Sequence, residues 1–218
     1  MATAEMLDLM TAEEFGKRPD PGYPEELVQG RVVAMSVPDG RHGYVCLKIG
    51  RILAEFVNKN DLGRVMSNDS AVITHRNPDS VRGADVAYYS YERLPRGPLA
   101  PGYGPEVPEL VVETLPHCDR WMNIHEKVTE YLNAGVTTVI VLDPGPNTAQ
   151  VLAISMCPQC SQPMMSWFFP GFWKDFAPPW GTSSSSRYFA RFLASSRRRL
   201  RIWSWAMTLN FERRIGAP

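Results

Sequence analysis

Glu109-Leu-Val-Val-Glu-Thr-Leu115 and Val136-Thr-Thr-Val-Ile-Val-Leu142 are two short apolar runs, the second rich in β-branched residues. Between them Ile124, Val128, Tyr131 and Leu132 recur at helical spacing. Asp119 can cap the start of that helix, which runs to about Asn133, and Gly135 stands where a C-cap glycine belongs. The second run is apolar throughout, as in a strand covered on both faces, and Asp143-Pro144-Gly145 ends it. This segment reads as strand, helix, buried strand.

Upstream, residues 94–108 hold five prolines and three glycines and read as a loop. Ala84-Asp-Val-Ala-Tyr-Tyr89 and Ala71-Val-Ile-Thr74 are strand-like. A helix is expected from about Arg41 to Asn58, with Val45, Ile49, Ile52, Leu53 and Phe56 on one face. Glu26 to Met35 reads as two short strands turning at Gln29-Gly30, and Thr11-Ala-Glu-Glu14 is a capping box opening a helix that Pro19 and Pro21 end. The order predicts an α/β fold, a mixed β-sheet flanked by helices, in residues 1–150. Beyond Val151 the periodicity stops, Trp and Met crowd in, Ser183–Ser186 leads into Arg-rich text, and nothing reads as an element that completes the sheet.

The zero net charge hides a split. Residues 1–150 carry 14 Lys+Arg against 21 Asp+Glu, a net of −7, and residues 151–218 carry 9 against 2, a net of +7. A basic tail can be a nucleic-acid-binding arm, or the two parts can differ in origin. No run reaches the ~18 apolar residues of a membrane helix. Met1-Ala-Thr-Ala-Glu-Met6 lacks the basic and apolar regions of a signal peptide, so a soluble, cytoplasmic protein is expected. Of the four cysteines, Cys157-Pro-Gln-Cys160 forms a lone CxxC, and Cys118 with His117 could complete a zinc set; four reduced thiols are the plainer reading.

Asp85 and Glu113 each stand in an apolar, strand-like segment, where a charge is uncommon unless it is paired or bound. Two converging carboxylates can hold a hard divalent cation such as Mg²⁺. Lys127, on or near the inward face of the following helix, could reach toward the same point and stabilise charge there. The same residues also admit plain roles: Asp85 capping a turn, Glu113 facing solvent on an edge strand, Lys127 pairing with Asp119 or Glu130. His42 could meet a phosphate at a helix N-terminus or be structural. His75 and His125 suggest no role. Arg41, Arg64, Arg76 and Arg82 are candidates for a local basic patch.

Thr11-Ala-Glu-Glu-Phe15, Glu26-Leu27, Gly30, Arg41-His42-Gly43, Ala84-Asp-Val-Ala87, Leu110-Val-Val-Glu113, Glu126-Lys-Val-Thr-Glu-Tyr-Leu132, Ala134-Gly-Val136 and Asp143-Pro144 follow one another in a recognisable order. In these motifs the chain resembles the Uma2 family (DUF820) of restriction-endonuclease-like proteins, in the PD-(D/E)XK nuclease superfamily. The resemblance implies a restriction-endonuclease-like fold and hydrolysis of DNA phosphodiester bonds by a water activated by Mg²⁺ or Mn²⁺. It implies Asp85 and Glu113 as metal ligands, Glu26 as an outer ligand through water, and Lys127 as the catalytic lysine. The superfamily places its lysine two residues past the second acid, which here is Leu115; the Uma2 pattern places it on the next helix, where Lys127 stands. The family's Ser-Pro-Ser is replaced by Pro116-His117-Cys118, and its tyrosine before Glu26 by Glu25. The resemblance also allows a homodimer whose two sites cut two strands. Other readings are an inactive relative serving as a binding module and a zinc-organised interaction protein.

The tail invites one more reading, that residues from about 152 onward are translated out of frame. Met164-Met-Ser-Trp167 forces ATG ATG, a serine codon and TGG. With AGC for serine and a preceding G, a frame starting one base earlier reads Asp-Asp-Glu-Leu-Val, and allowed codons continue it into Pro-Gly-Phe, similar to the usual Uma2 ending. Residues 151–218 are then a non-family, disordered or poorly folded tail.

Overall fold

The computed structural model describes residues 9–115, 121–146, 148–154 and 164–170. A short helix α1 (Ala12–Phe15) starts at Thr11, whose side chain and that of Glu14 form the expected capping box. Strands β1 (Glu25–Val28) and β2 (Arg31–Ala34) form a hairpin. Its two turn residues, Gln29 and Gly30, have φ of 50° and 76°, the left-handed values that a tight hairpin turn requires. Helix α2 (Gly40–Lys59) is capped by Asp39, whose carboxylate accepts from the His42 amide at 2.8 Å. It buries Val45, Ile49, Leu53 and Val57, while Ile52 and Phe56 are half-buried.

Strands β3 (Gly63–His75) and β4 (Ser80–Ser90) form a long antiparallel pair, followed by β5 (Leu110–Thr114), helix α3 (Trp121–Ala134) and β6 (Thr138–Asp143). β5 and β6 are parallel, joined through α3, and their residues are almost wholly buried. Ile124, Val128, Tyr131 and Leu132 of α3 pack with Val111, Val139 and Val141 in the main core. Gly135 takes φ 101° at the helix end. The mixed sheet runs β2-β1-β4-β5-β6-β7-β8, with β3 on β4.

Three expectations need correction. Strands β3 and β4 extend well beyond Ala71–Thr74 and Ala84–Tyr89. The first half of β3 lacks alternation because a bulge between Ser67 and Ser70, with Asn68 and Asp69 at positive φ, breaks the period. The sheet also does not stop at residue 150. β7 (Thr148–Ile154) pairs with β6, and β8 (Met164–Pro170) pairs with β7, so β6 is an interior strand. Ladder pairing uses the backbone, which composition does not report. Residues 171–218, His117, Cys118 and Asp119, and Cys157 and Cys160, with the expectations attached to them, lie outside the described residues. No helix among the described residues is long and apolar enough to cross a membrane.

The feature that positions the site is the edge of β4. One edge carries β3. The other is shared: β1 pairs at Leu27–Val81, and β5 pairs at Val86–Val112, Ala87–Val111 and Tyr88–Leu110. Between them Arg82, Gly83, Ala84 and Asp85 have no paired strand on that edge among the described residues.

Candidate active site

A split in a ladder leaves backbone groups that must find other partners if buried. At Gly83 those partners are side chains. Its amide donates to Glu26 Oε1 at 2.9 Å, and its carbonyl accepts from Lys127 Nζ at 2.7 Å and from the Tyr131 hydroxyl at 3.2 Å. Any side chain at this position would collide with the β3 bulge, since a Cβ would lie 2.9 Å from Asp69 Cβ and 3.2 Å from the Asp69 carbonyl oxygen.

Lys127 reaches the split from one turn of α3 that also carries Glu130 and Tyr131. Its ammonium lies 3.1 Å from Glu113 Oε2 and 3.1 Å from Glu26 Oε1, so three acceptors match its three protons. Tyr131 donates to the other Glu113 oxygen at 2.9 Å. Glu26, on β1, also accepts from Arg82 at 3.0 Å, and Arg82 grips Glu130 with two bonds at 2.7 and 2.5 Å.

Asp85 and Glu113 occupy the next opposing positions after the Val86–Val112 pair, so both project from one face of the sheet. They are 6% and 3% exposed. Asp85 Oδ2 accepts from the Thr114 amide at 2.6 Å and lies 3.1 Å from His42 Nε2. His42 comes from the first turn of α2. One turn on, Cys46 Sγ lies 3.5 Å from His42 Nδ1 and 3.5 Å from Thr114 Oγ1.

The charges are unequal. Burial pushes the Glu113 carboxyl up to about 8, aided by repulsion from Asp85 and only partly opposed by Lys127 and Tyr131. Burial raises Glu26 too, but Lys127 and Arg82 outweigh it and hold its pKa below the usual range. Lys127 is disfavoured by burial, yet Glu113, Glu26 and Asp85 raise it above the ordinary lysine range. The hydrogen bond to Asp85, then that to Cys46, raises His42 to about 10. Asp69 on the bulge is pushed up by burial and by the negative charge of Asp85.

The structure thus brings Glu26, Glu113 and Lys127 into contact and sets Asp85 opposite Glu113 on the same face. The plain alternatives do not hold: Glu113 lies on an interior strand, Asp85 is mid-strand, and Lys127 pairs inward. The arginine patch is corrected. Arg82 is engaged by Glu26 and Glu130, Arg76 by Glu13 and Asp79, Arg41 by the Pro144 carbonyl, and Arg64 by the Gly97 carbonyl. Sequence reasoning left out Arg82 as a partner of the site, the Tyr131 hydroxyl, Asp69 and Cys46. A signal existed for two of them: Lys127 and Tyr131 share a helix face at i, i+4, as do His42 and Cys46.

The model of the Uma2 family, described as "Putative restriction endonuclease", matches residues 12–155. The chain belongs to the Uma2 family. Its fold is that of a nuclease-family protein from Anabaena variabilis ATCC 29413, whose crystal structure is described as that of "a putative nuclease belonging to DUF820". The two superpose with a TM-score of 0.63 at 19% identity, over 82% of this chain and 92% of that one. No curated protein matches the chain significantly. Membership of Uma2 makes this a nuclease-family protein, and the residues that gather at the split of β4 lie within the matched span.

Proposed function

We propose that this Uma2 protein is an endonuclease that hydrolyses DNA phosphodiester bonds with a divalent cation held by Asp85 and Glu113. The observation that carries the proposal is the pairing of these two buried carboxylates on one sheet face, with the Lys127 ammonium 3.1 Å from Glu113.

The donor set fits Mg²⁺ or Mn²⁺. Carboxylate oxygens are the hard donors these ions prefer. Glu26, Asp69, Asp85, Glu113 and Glu130 face the two permanent cations Lys127 and Arg82 and the His42 imidazole. A divalent ion beside Glu113 favours its ionised form, which burial and Asp85 oppose. When bound, it supplies Lewis-acid chemistry, polarising a phosphate oxygen and acidifying a water.

The chain's own groups do the rest. Lys127 presents positive charge beside the place where the phosphate gathers negative charge. Since its three protons are already bonded, contact with phosphate exchanges one of those bonds. Tyr131 and the Gly83 carbonyl hold Glu113 and Lys127 in register, and Glu26 keeps Lys127 charged by its proximity. The −7 charge of residues 1–150 is unfavourable for DNA, whose affinity comes from Lys and Arg. A bound cation relieves part of that repulsion at the site.

The test is nicking of supercoiled plasmid by the full chain. Cleavage is expected with Mg²⁺ or Mn²⁺, none in EDTA, and none for Asp85→Asn or Glu113→Gln. Equal cleavage in EDTA, or full activity of Asp85→Asn, overturns the proposal.

A further inference from the structure

His42, Cys46 and Asp85 form a cluster of a different chemical kind. One donor atom from each, a ring nitrogen, a thiol sulfur and a carboxylate oxygen, lies within 4.8 Å of the other two. His42 and Cys46 are one turn apart on α2, the spacing at which two helix side chains can chelate one ion. Asp85 approaches from β4, with its oxygen 3.1 Å from His42 Nε2. A zinc site with ligand bonds of about 2.0–2.3 Å separates its donors by roughly 3.2–3.8 Å. His42 meets Asp85 through Nε2 and Cys46 through Nδ1, so one ion takes all three when the imidazole turns to set a single nitrogen between the sulfur and the carboxylate.

We infer that His42, Cys46 and Asp85 constitute a second metal site, for a borderline-soft divalent ion of the Zn²⁺ or Co²⁺ class. Thiolate and imidazole donors select such ions over Mg²⁺, which prefers oxygen and keeps its waters. Three protein ligands leave a fourth, open position. Because Asp85 serves both sites, an ion held by His42 and Cys46 draws Asp85 away from the hard cation. Zn²⁺ then inhibits cleavage; this consequence, unlike the binding itself, rests on the nuclease reading above.

Binding is tested first, without activity. In a full chain carrying Cys118→Ser, Cys157→Ser and Cys160→Ser, Cys46 is the only thiol. Co²⁺ titration of this protein is expected to give a sulfur-to-cobalt charge-transfer band and the intense visible absorption of four-coordinate cobalt. Adding Cys46→Ser, or Cys46→Ala as a second variant of similar size, removes the charge-transfer band. Either change weakens Co²⁺ binding by at least about tenfold, since even supporting residues of metal sites cost that much. His42→Gln weakens binding comparably, and Glu113→Gln leaves the band in place. Circular dichroism confirms that each variant is folded. Absence of the thiolate band from the folded Cys46-only protein overturns the inference, as does a band that survives loss of Cys46. In a second arm, the Zn²⁺ concentration that halves Mg²⁺-dependent cleavage rises at least about tenfold in Cys46→Ser, relative to that variant's own uninhibited rate; an unchanged value overturns the shared use of Asp85. A chain that binds Co²⁺ through Cys46 but never cuts DNA sinks the nuclease reading and leaves this site standing.

Discussion

Lys127 holds its charge among Glu113, Glu26 and the Gly83 carbonyl, 14% exposed at its side chain. Removing one partner of a buried ion network leaves the others uncompensated, which is costlier than the network's net worth. Lys127→Met is therefore expected to destabilise the metal-free protein by about 3–5 kcal/mol in urea denaturation. It is also expected to lower the cleavage rate far more than it lowers metal affinity, because Lys127 is not among the proposed ligands. Tyr131→Phe removes the single hydroxyl proton that Glu113 and the Gly83 carbonyl share, while keeping the ring in the core, so a loss of about 1–2 kcal/mol is expected. If Tyr131→Phe melts like the wild type, the hydroxyl is not holding Glu113.

Two elements are joined through Asp79, at the turn between β3 and β4. Its carboxylate accepts from the Ala12 amide of α1 at 2.8 Å, from the Asn77 amide at 3.2 Å and from Arg76 at 2.7 Å. Burial pushes Asp79 up, but these three donors outweigh it and hold its pKa below the ordinary carboxylate value. A depressed carboxylate stabilises the fold fully above its unfolded pKa, about 3.9, and the contribution is lost as pH falls through the folded value. Asp79→Asn is expected to be about 1–3 kcal/mol less stable than wild type at pH 7, with the gap closing below about pH 4. A gap of constant size in urea denaturation across that range rules out the linkage. The β3 bulge and β4 are likewise coupled at Gly83. Gly83→Ala forces the Asp69 backbone away and is expected to cost about 1–3 kcal/mol in the same assay.

For the molecule as a whole, the last two strands matter most. β7 and β8 extend the sheet beyond β6, and β8 uses residues that the out-of-frame reading rewrites. The two are compatible, since a ladder needs backbone groups and tolerates many side chains. If the frame is offset near Gln150, shifting it back by one base gives a chain with Asp-Asp-Glu-Leu-Val in this hairpin. That product is expected to melt higher by several degrees, the effect of about 1–2 kcal/mol in a domain of this size. Sequencing of the gene is decisive: stop codons in the offset frame between the positions of Pro158 and Ser186 eliminate the reading.

The elements were legible where their signal is local. Apolar spacing marks α2 and α3, the unbroken run marks β6, and Thr11, Gln29-Gly30 and Gly135 mark ends and turns, because caps and periods depend on residues a few positions apart. Asp85, Glu113 and Lys127 were singled out by charge in apolar surroundings and by resemblance to Uma2. What stayed hidden depends on approach through space. Arg82 gives no sign in sequence that it joins Glu26 to Glu130, 104 positions apart. Nor does Gly83 show that its amide and carbonyl, left between β1 and β5, will draw Glu26, Lys127 and Tyr131 together. That convergence arises because one long strand shares an edge between two shorter ones, and a buried backbone must bond with whatever the fold brings near.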